Sequence, residues 1–276
     1  YLSGHPLDDY QIEIGLTPNR SDAMGHIGVA RDLIAYLNVH NKLDLSLNIP
    51  PLENFEVEKN NLNVDVSIQD KENCPHYMGV TISGVTIKSS PSWLKNSLKS
   101  IGISPINNVV DVTNYVMHEL GSPLHVFDAS KLNGKIVVKN AKNGDEFKTL
   151  DGVNRKLKDS NLMITNGIDN LCIAGVIGGE DSSVKDETTN IFLESAYFNP
   201  ISIRKTAKMF GLNTDASFRF ERGVDPNTVD YALKRAALLI QELAGGHVSM
   251  DVVDLNNNTF KNHVVVFNYE RCNKLI

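Results

Sequence analysis

The residue type with the clearest capacity for chemistry is the carboxylate of Glu194, which lies within the apolar run 191–198. Side chains alternate between the two faces of a β-strand, so Glu194 shares a face with Phe192, Ala196 and Phe198. The opposite face is also apolar, which is typical of a strand buried on both sides. A buried carboxylate is costly unless it is hydrogen-bonded or faces a pocket.

Two interpretations of Glu194 follow from the residues alone. In the structural interpretation, its carboxylate forms a salt bridge with an arginine such as Arg204 or Arg219. In the functional interpretation, it accepts a hydrogen bond from a hydroxyl or amine of a ligand. Both interpretations are open at this point.

His125 is a second candidate, in the segment Ser122–Asp128 (Ser-Pro-Leu-His-Val-Phe-Asp). Its ordinary pKa lies near neutrality, which suits a general base. A histidine close to a proline and a phenylalanine is also typical of a packed loop, and this structural interpretation stays open.

The segment 175–180 (Gly-Val-Ile-Gly-Gly-Glu) is rich in glycine. No Lys-Ser or Lys-Thr pair follows it, so it is not a nucleotide-binding P-loop. It is either a tight turn after a strand at 171–176 or a segment whose backbone amides approach a ligand.

Two enzyme classes are not expected. His118-Glu119 begins the zinc-protease pattern H-E-x-x-H, but Ser122 stands where the second histidine is required. A G-x-S-x-G elbow does not occur, so a serine hydrolase is not expected either.

The composition indicates an ordinary globular protein. The 276 residues carry a net charge of −6, with 41% hydrophobic and 22% charged residues. These values exclude wholesale disorder and a generally basic nucleic-acid coat, and the apolar runs are too short to span a membrane. The three cysteines form no C-x-x-C pair, which predicts a reducing, intracellular compartment.

The hydrophobic periodicity predicts the elements that must position these side chains. Helices are expected around 27–37, 91–101, 109–120, 200–210 and 227–244, and strands at 64–68, 77–87 and 191–198. Asp151-Gly152 and Asn166-Gly167 predict two β-hairpins. The last residues, 264–276, alternate like a strand. This mixture predicts an α+β fold of largely antiparallel sheets packed with helices in layers, preceded by a small helical segment.

A set of ordered motifs resembles the central region of bacterial phenylalanyl-tRNA synthetase β subunits. The motifs cover nearly the whole chain and lie at 17–22 (TPNRSD), 28–31 (GVAR), 74–77 (CPHY), 90–94 (SPSWL), 107–116 (NNVVDVTNYV), 121–128 (GSPLHVFD), 173–179 (IAGVIGG) and 218–226 (FRFERGVDP). One departure is Phe218, which stands where many family members have His.

The resemblance implies a piece of a longer subunit, in keeping with a chain that begins at Tyr1. Residues 1–50 would be a helical segment of a neighbouring, incomplete domain, and 51–70 a linker with the first strand. Residues 71–246 would be the central editing module, and 247–276 the start of a following, truncated domain.

The resemblance also implies the partners. The parent enzyme is a cytoplasmic α2β2 assembly that attaches phenylalanine to tRNA(Phe), with its ATP and Mg²⁺ in the α subunit. This chain would itself bind no cofactor and no metal. Neither a membrane nor DNA is expected as a partner.

In the family, this module hydrolyses tyrosine that was wrongly esterified to tRNA(Phe). The matching positions make Glu194 the reader of the tyrosine phenol, and His125 and Asn114 the catalytic candidates. The remaining candidates are Thr113 and Pro123 near the ester, Ala174 and Gly175 as close backbone contacts, Thr214 and Ala216 as limits on pocket size, and Arg204, Lys205 and Lys208 as weak RNA contacts. His125 would act either as a general base or by orienting the substrate. The alternative function is a structural, tRNA-contacting scaffold without efficient editing.

Overall fold

The computed structural model describes residues 2–4, 10–257, 260 and 264–275. Its α-helices are α1 (His26–His40), α2 (Ser92–Ser100), α3 (Asn108–Leu120), α4 (Pro200–Phe210), α5 (Asp215–Phe220), α6 (Thr228–Ala244) and α7 (Tyr269–Asn273). Short 3-10 helices lie at Ser21–Ala23 and Ala129–Lys131.

The strands in chain order are β1 (Leu2–Gly4), β2 (Tyr10–Ile12), β3 (Asp65–Ile68), β4 (His76–Ser83), β5 (Leu124–Asp128), β6 (Lys135–Asn140), β7 (Glu146–Lys148), β8 (Asn154–Lys156), β9 (Leu162–Thr165), β10 (Asn170–Ile173), β11 (Ile177–Gly178), β12 (Asn190–Tyr197), β13 (His247–Val248) and β14 (Val253–Asn256).

Two five-stranded sheets organise the molecule. The first has the order β13-β4-β12-β5, with β14 also pairing with β4, and all of its pairs are antiparallel. The second has the order β11-β10-β9-β6-β3, in which only β3 and β6 run parallel. The predicted α+β fold with largely antiparallel sheets is therefore confirmed.

The helix α3 has clear start and stop signals in the sequence. The Asn107 side chain accepts hydrogen bonds from the backbone N–H groups of Val109 and Val110, which caps the first turn. The helix ends at Gly121, whose φ of 76° lies in the left-handed region that favours glycine. In between, Val112 and Val116 are buried, and α3 packs against α6 and β5.

Both predicted hairpins are present. Strands β7 and β8 flank Asp151-Gly152, and β9 and β10 flank Asn166-Gly167. The predicted strand 77–87 ends earlier, at Ser83, because Gly84 takes a φ of 77° that leaves the extended conformation. Helix α5 was not predicted from the apolar periodicity.

The strand predicted at 264–276 is wrong for its described residues. Residues 264–268 form no regular structure, and α7 follows, capped by the Asn268 side chain, which accepts a hydrogen bond from the Arg271 N–H. Val264 and Val266 are each 93% exposed, and no described strand pairs with these alternating apolar residues. Ile276 lies outside the described residues.

Residues 247–256 share the first sheet with the central module. Both β13 and β14 pair with β4, in which Ser83 lies opposite His247 and Gly79 lies opposite Val253. The sheet therefore continues past residue 246, where the sequence analysis placed a domain boundary. The wider division of the chain into domains stays a prediction.

Candidate functional site

A cavity of about 520 Å³ lies beside β5 and β12, bordered by α3, the start of α5 and the turn after β10. Eight of the predicted pocket residues line it: Thr113, Asn114, Pro123, His125, Gly175, Glu194, Thr214 and Ala216. These positions span a hundred residues of sequence, so the fold alone brings them together.

Two predicted groups lie elsewhere. Ala174 is buried beside the cavity without lining it, and its N–H donates to the carbonyl oxygen of Leu162 at 3.0 Å. Arg204, Lys205 and Lys208 are exposed on α4 and do not line the cavity.

The pairing register of β5 and β12 explains why Glu194 and His125 lie at the same cavity. Glu194 lies directly opposite His125 in this antiparallel pair, so their side chains emerge on the same face of the sheet. A shift of one residue would move one of the two sets of side chains to the opposite face.

Glu194 is a buried carboxyl group with one hydrogen-bond donor among the residues that the structure describes. Its side chain is almost inaccessible, at 4% exposure, and the Tyr77 hydroxyl donates to Oε2 at 2.6 Å. Within the described ranges, no lysine or arginine pairs with it: Arg219 donates instead to Asp215 and to the Met24 carbonyl. Burial raises the pKa of Glu194 to about 7, and the hydrogen bond from Tyr77 opposes that rise.

These contacts bear on the two interpretations of Glu194 that the sequence left open. The salt bridge to Arg204 or Arg219 is not formed, so the structural interpretation of Glu194 is wrong in that form. The carboxyl group faces a cavity, as the functional interpretation requires.

The His125 ring is held between other residues. It packs edge-on against Phe127 with ring centroids 4.4 Å apart. A Cβ at position 178 would lie 2.8 Å from His125 Cε1, so Gly178 makes room for the imidazole. Burial lowers the pKa of His125 to about 4, which keeps the ring neutral at pH 7 with one nitrogen able to accept a hydrogen bond.

The neighbouring polar side chains differ in whether they already form hydrogen bonds within the protein. Thr214 Oγ1 donates to the Val176 carbonyl at 2.8 Å and accepts from the Ser217 N–H at 3.1 Å, so it caps α5. Thr113 Oγ1 donates to the Val110 carbonyl at 2.7 Å. The Asn114 side chain, by contrast, has no hydrogen-bond partner in the part of the chain that the structure describes.

Gly175 is required by its packing. Its φ is 65°, and a Cβ there would lie 2.9 Å from Ile203 Cδ1 and 3.0 Å from Phe198 and Phe220 side-chain atoms. Its own N–H has no hydrogen-bond acceptor among the described residues. Gly175 lines the cavity, so its N–H is a candidate hydrogen-bond donor to a developing oxyanion.

The sequence analysis missed Tyr77, which donates to Glu194, and Cys172, which lines the cavity. Tyr77 is fully buried, and a buried tyrosine hydroxyl normally has a partner, but sequence cannot say which. Cys172 lines the cavity; burial raises the pKa of its thiol well above the ordinary range, so it is not a nucleophile at neutral pH. The departure at Phe218 lies outside the cavity lining, beneath the Arg222 guanidinium at 3.6 Å.

The arrangement suits hydrolysis by water. It combines a neutral imidazole, a free amide side chain and a free backbone N–H with a buried carboxyl group. In the described ranges 2–4, 10–257, 260 and 264–275, no group of three or more His, Cys, Asp and Glu side chains could hold a metal ion. None of the described helices combines the length and apolar character needed to cross a membrane.

The chain is similar to known proteins along almost its whole length. The chain is 52% identical over 97% of its length to the phenylalanine–tRNA ligase beta subunit of Bacteroides thetaiotaomicron, and 48% identical over 99% to that of Porphyromonas gingivalis. It spans about a third of the length of each of these relatives, 33% in both cases. A solved N-terminal fragment of the phenylalanyl-tRNA synthetase beta subunit from Pyrococcus horikoshii aligns with a TM-score of 0.48 and 16% identity, over 86% of this chain and 64% of that one.

The resemblance read from the motifs is thus confirmed by similarity along almost the whole chain. Residues 73–245, which contain every residue that lines the cavity, match the family described as the B3/4 domain. The chain belongs to the B3/4 domain family.

Proposed function

We propose that this chain is the editing part of a phenylalanine–tRNA ligase β subunit and hydrolyses tyrosine wrongly attached to tRNA(Phe). The observation that carries the proposal is the Glu194 carboxyl group, which is buried at one cavity and, among the described residues, is hydrogen-bonded only by Tyr77. The parent enzyme would be a cytoplasmic α2β2 assembly whose α subunit attaches phenylalanine with ATP and Mg²⁺.

The physical need for such a site is clear. An apolar pocket that fits phenylalanine rejects an isostere with one added hydroxyl by only roughly a hundredfold. A second site with a buried acceptor reverses the preference, because tyrosine satisfies the acceptor and phenylalanine leaves it unpaired. Glu194 is an acceptor of this kind, since no lysine or arginine of the described part of the chain pairs with it.

The reaction uses water as the nucleophile. Water attacks the ester carbonyl carbon, and the oxygen of that carbonyl takes up negative charge as the tetrahedral intermediate forms. The Gly175 N–H and the Asn114 amide are the donors that would stabilise this oxyanion. The carbon–oxygen ester bond then breaks, and the departing ribose oxygen takes up the proton that the attacking water gives up, which leaves free tyrosine and uncharged tRNA.

His125 has the role of orienting the attacking water in this scheme. A group whose pKa is lowered to about 4 is a weak general base at pH 7, because it holds a proton poorly. Its neutral ring can still accept a hydrogen bond from water.

The test is Glu194→Ala in the full αβ enzyme. Hydrolysis of Tyr-tRNA(Phe) should fall by about ten- to a hundredfold, because a hydrogen bond to a charged acceptor is lost. Phenylalanylation should stay near its original rate, since that chemistry takes place in another subunit. Glu187→Ala, at an exposed glutamate, is the matched control.

A melting curve separates function from stability. If Glu194 were structural, its loss would lower Tm and reduce both activities together. Unchanged clearance of Tyr-tRNA(Phe) by a well-folded variant would contradict the proposal.

The exposed basic residues of α4 support a weak tRNA contact and are the basis of the scaffold alternative. With a net charge of −6, the chain by itself should bind tRNA weakly. Replacing Arg204, Lys205 and Lys208 together with Ala should lower the slope of log affinity against log salt by at most about three, roughly one for each phosphate contact. Submicromolar binding of tRNA to this chain at physiological salt, measured by filter retention, would contradict the proposal of a weak contact.

A further inference from the structure

Tyr77 donates a hydrogen bond to Glu194, and the sheet register accounts for this contact. In the pairing of β4 with β12, Glu194 lies opposite Gly79, which has no side chain to offer. Tyr77 lies two residues from Gly79 and therefore on the same face, at the diagonal distance that a long side chain can bridge. The other diagonal neighbour, Thr81, donates its hydroxyl to the Leu62 carbonyl instead.

The hydrogen bond from Tyr77 places the two oxygens of the Glu194 carboxyl group in different surroundings. Oε2 accepts from the tyrosine hydroxyl at 2.6 Å, while Oε1 has no donor among the described residues. Tyr77 is 0% exposed, so its hydroxyl cannot exchange this partner for bulk water.

We propose that Tyr77 is a positioning residue that fixes Oε2 of Glu194 and leaves Oε1 for the phenol hydroxyl of the substrate. This inference rests on the proposed editing function and assigns Tyr77 a part in selecting tyrosine over phenylalanine. Tyr77 does not touch the reacting ester in this scheme; it acts through the carboxylate.

The tyrosine hydroxyl also influences the charge of Glu194. Burial raises the pKa of this carboxyl to about 7, and the hydrogen bond from Tyr77 lowers it, so the bond helps to keep an ionised acceptor at neutral pH. The titratable groups around it are Tyr77 and the Cys74 thiol near β4, His125 on β5, Cys172 on β10 and Asp215 at the start of α5. Burial raises the pKa of both thiols and lowers that of His125, so none of these three is charged at pH 7.

Without the Tyr77 hydroxyl, the Glu194 pKa should rise further, and more of the carboxyl should be protonated at pH 7. A protonated acid is a weaker acceptor for a phenol hydroxyl than a carboxylate is. It also costs less to leave unpaired, so phenylalanine would be excluded less strongly.

The experiment is Tyr77→Phe in the full-length αβ enzyme, with hydrolysis of Tyr-tRNA(Phe) and Phe-tRNA(Phe) measured from pH 6 to pH 9 and corrected for the uncatalysed rate. We expect the ratio of tyrosine to phenylalanine hydrolysis to fall about tenfold at pH 7. The ratio should recover as the pH rises, because the carboxyl ionises at a higher pH. Tyr197→Phe, on β12 and half-buried, is the matched control and should behave like the original enzyme.

A second variant keeps the ring and the hydroxyl. Replacing Tyr77 with 3-fluorotyrosine makes the phenol a stronger donor, so the midpoint of the pH profile should move to lower pH. In Glu194→Gln, which cannot ionise, the selectivity should not change with pH.

The outcomes separate the two proposals. If the original enzyme clears Tyr-tRNA(Phe) but neither change at Tyr77 moves the ratio or the midpoint, Tyr77 is not a positioning residue and editing stands. If the original enzyme does not clear Tyr-tRNA(Phe), the editing function itself fails. A lower Tm with an unmoved pH midpoint means that Tyr77 is only structural, which overturns the inference.

Discussion

Two largely buried glutamates lie in contrasting surroundings. Glu119, near the end of α3, accepts two hydrogen bonds from the Arg235 guanidinium of α6, at 3.0 and 3.2 Å. Glu194, on β12 of the first sheet, faces a cavity, and within the described ranges it has a single donor, Tyr77, and no cationic partner. Both are acids removed from most solvent, yet only one has its charge matched.

The comparison distinguishes a glutamate that stabilises the fold, Glu119, from one that remains able to bind a ligand, Glu194. The planar guanidinium of Arg235 occupies both oxygens of Glu119, which ties α3 to α6 and leaves nothing for a ligand. Because α3 also supplies Thr113 and Asn114, that ion pair fixes one wall of the cavity. Glu194 retains a free oxygen at an energetic cost that a ligand can relieve.

The largest effect should come from breaking the matched pair. Glu119→Ala leaves the Arg235 charge with no partner in a mostly buried place, which should lower the free energy of unfolding by about 3–5 kcal/mol. Urea unfolding at pH 7 measures this loss. Glu119→Met combined with Arg235→Met should regain most of it, because no unpaired charge remains; a double variant as unstable as Glu119→Ala would contradict this account.

The next largest effect concerns the unmatched carboxyl. The pKa of Glu194 is about 7 in the folded chain against an ordinary value of 4.5, so the folded state binds this proton more tightly. Its contribution to the free energy of unfolding should therefore fall by about 3 kcal/mol as the pH rises from about 5 to about 8. Glu194→Gln should remove this loss, so the free energy of unfolding of the variant should increase relative to that of the original chain as the pH rises. Parallel curves for the two chains would show that Glu194 does not titrate in this range.

A smaller effect of the opposite sign is expected at His125. Its pKa is lowered to about 4 from 6.5, so the unfolded chain binds this proton more tightly. Stability should be lost as the pH falls from about 6.5 to about 4, by about 1 kcal/mol once the partial exposure of the ring is considered. In urea unfolding measured at pH 4 to 7, the free energy of unfolding of His125→Asn should fall less than that of the original chain as the pH is lowered (the acid limb of the curve). An unchanged acid limb would mean that the ring is accessible enough to be protonated in the folded chain.

Local signals in the sequence were enough for most elements. Asn107 and Gly121 mark the ends of α3, and Asp-Gly and Asn-Gly mark the hairpins, because caps and tight turns depend on the few residues that form them. Alternation was misleading at residues 264–275, where none of the described strands pairs with the exposed valines. The short helix α5 was missed because one and a half turns give too little periodicity to detect.

The sequence by itself determined which side chains could do chemistry, since an inward-facing Glu194 follows from strand alternation and the ordered motifs indicate the family. Only the tertiary structure decided how they meet. The register of β12 places Glu194 opposite His125 on one side and diagonal to Tyr77 on the other. Pairing between strands that lie far apart in the sequence depends on the packing of the whole sheet, so no local pattern encodes the hydrogen bond that leaves one carboxylate oxygen free.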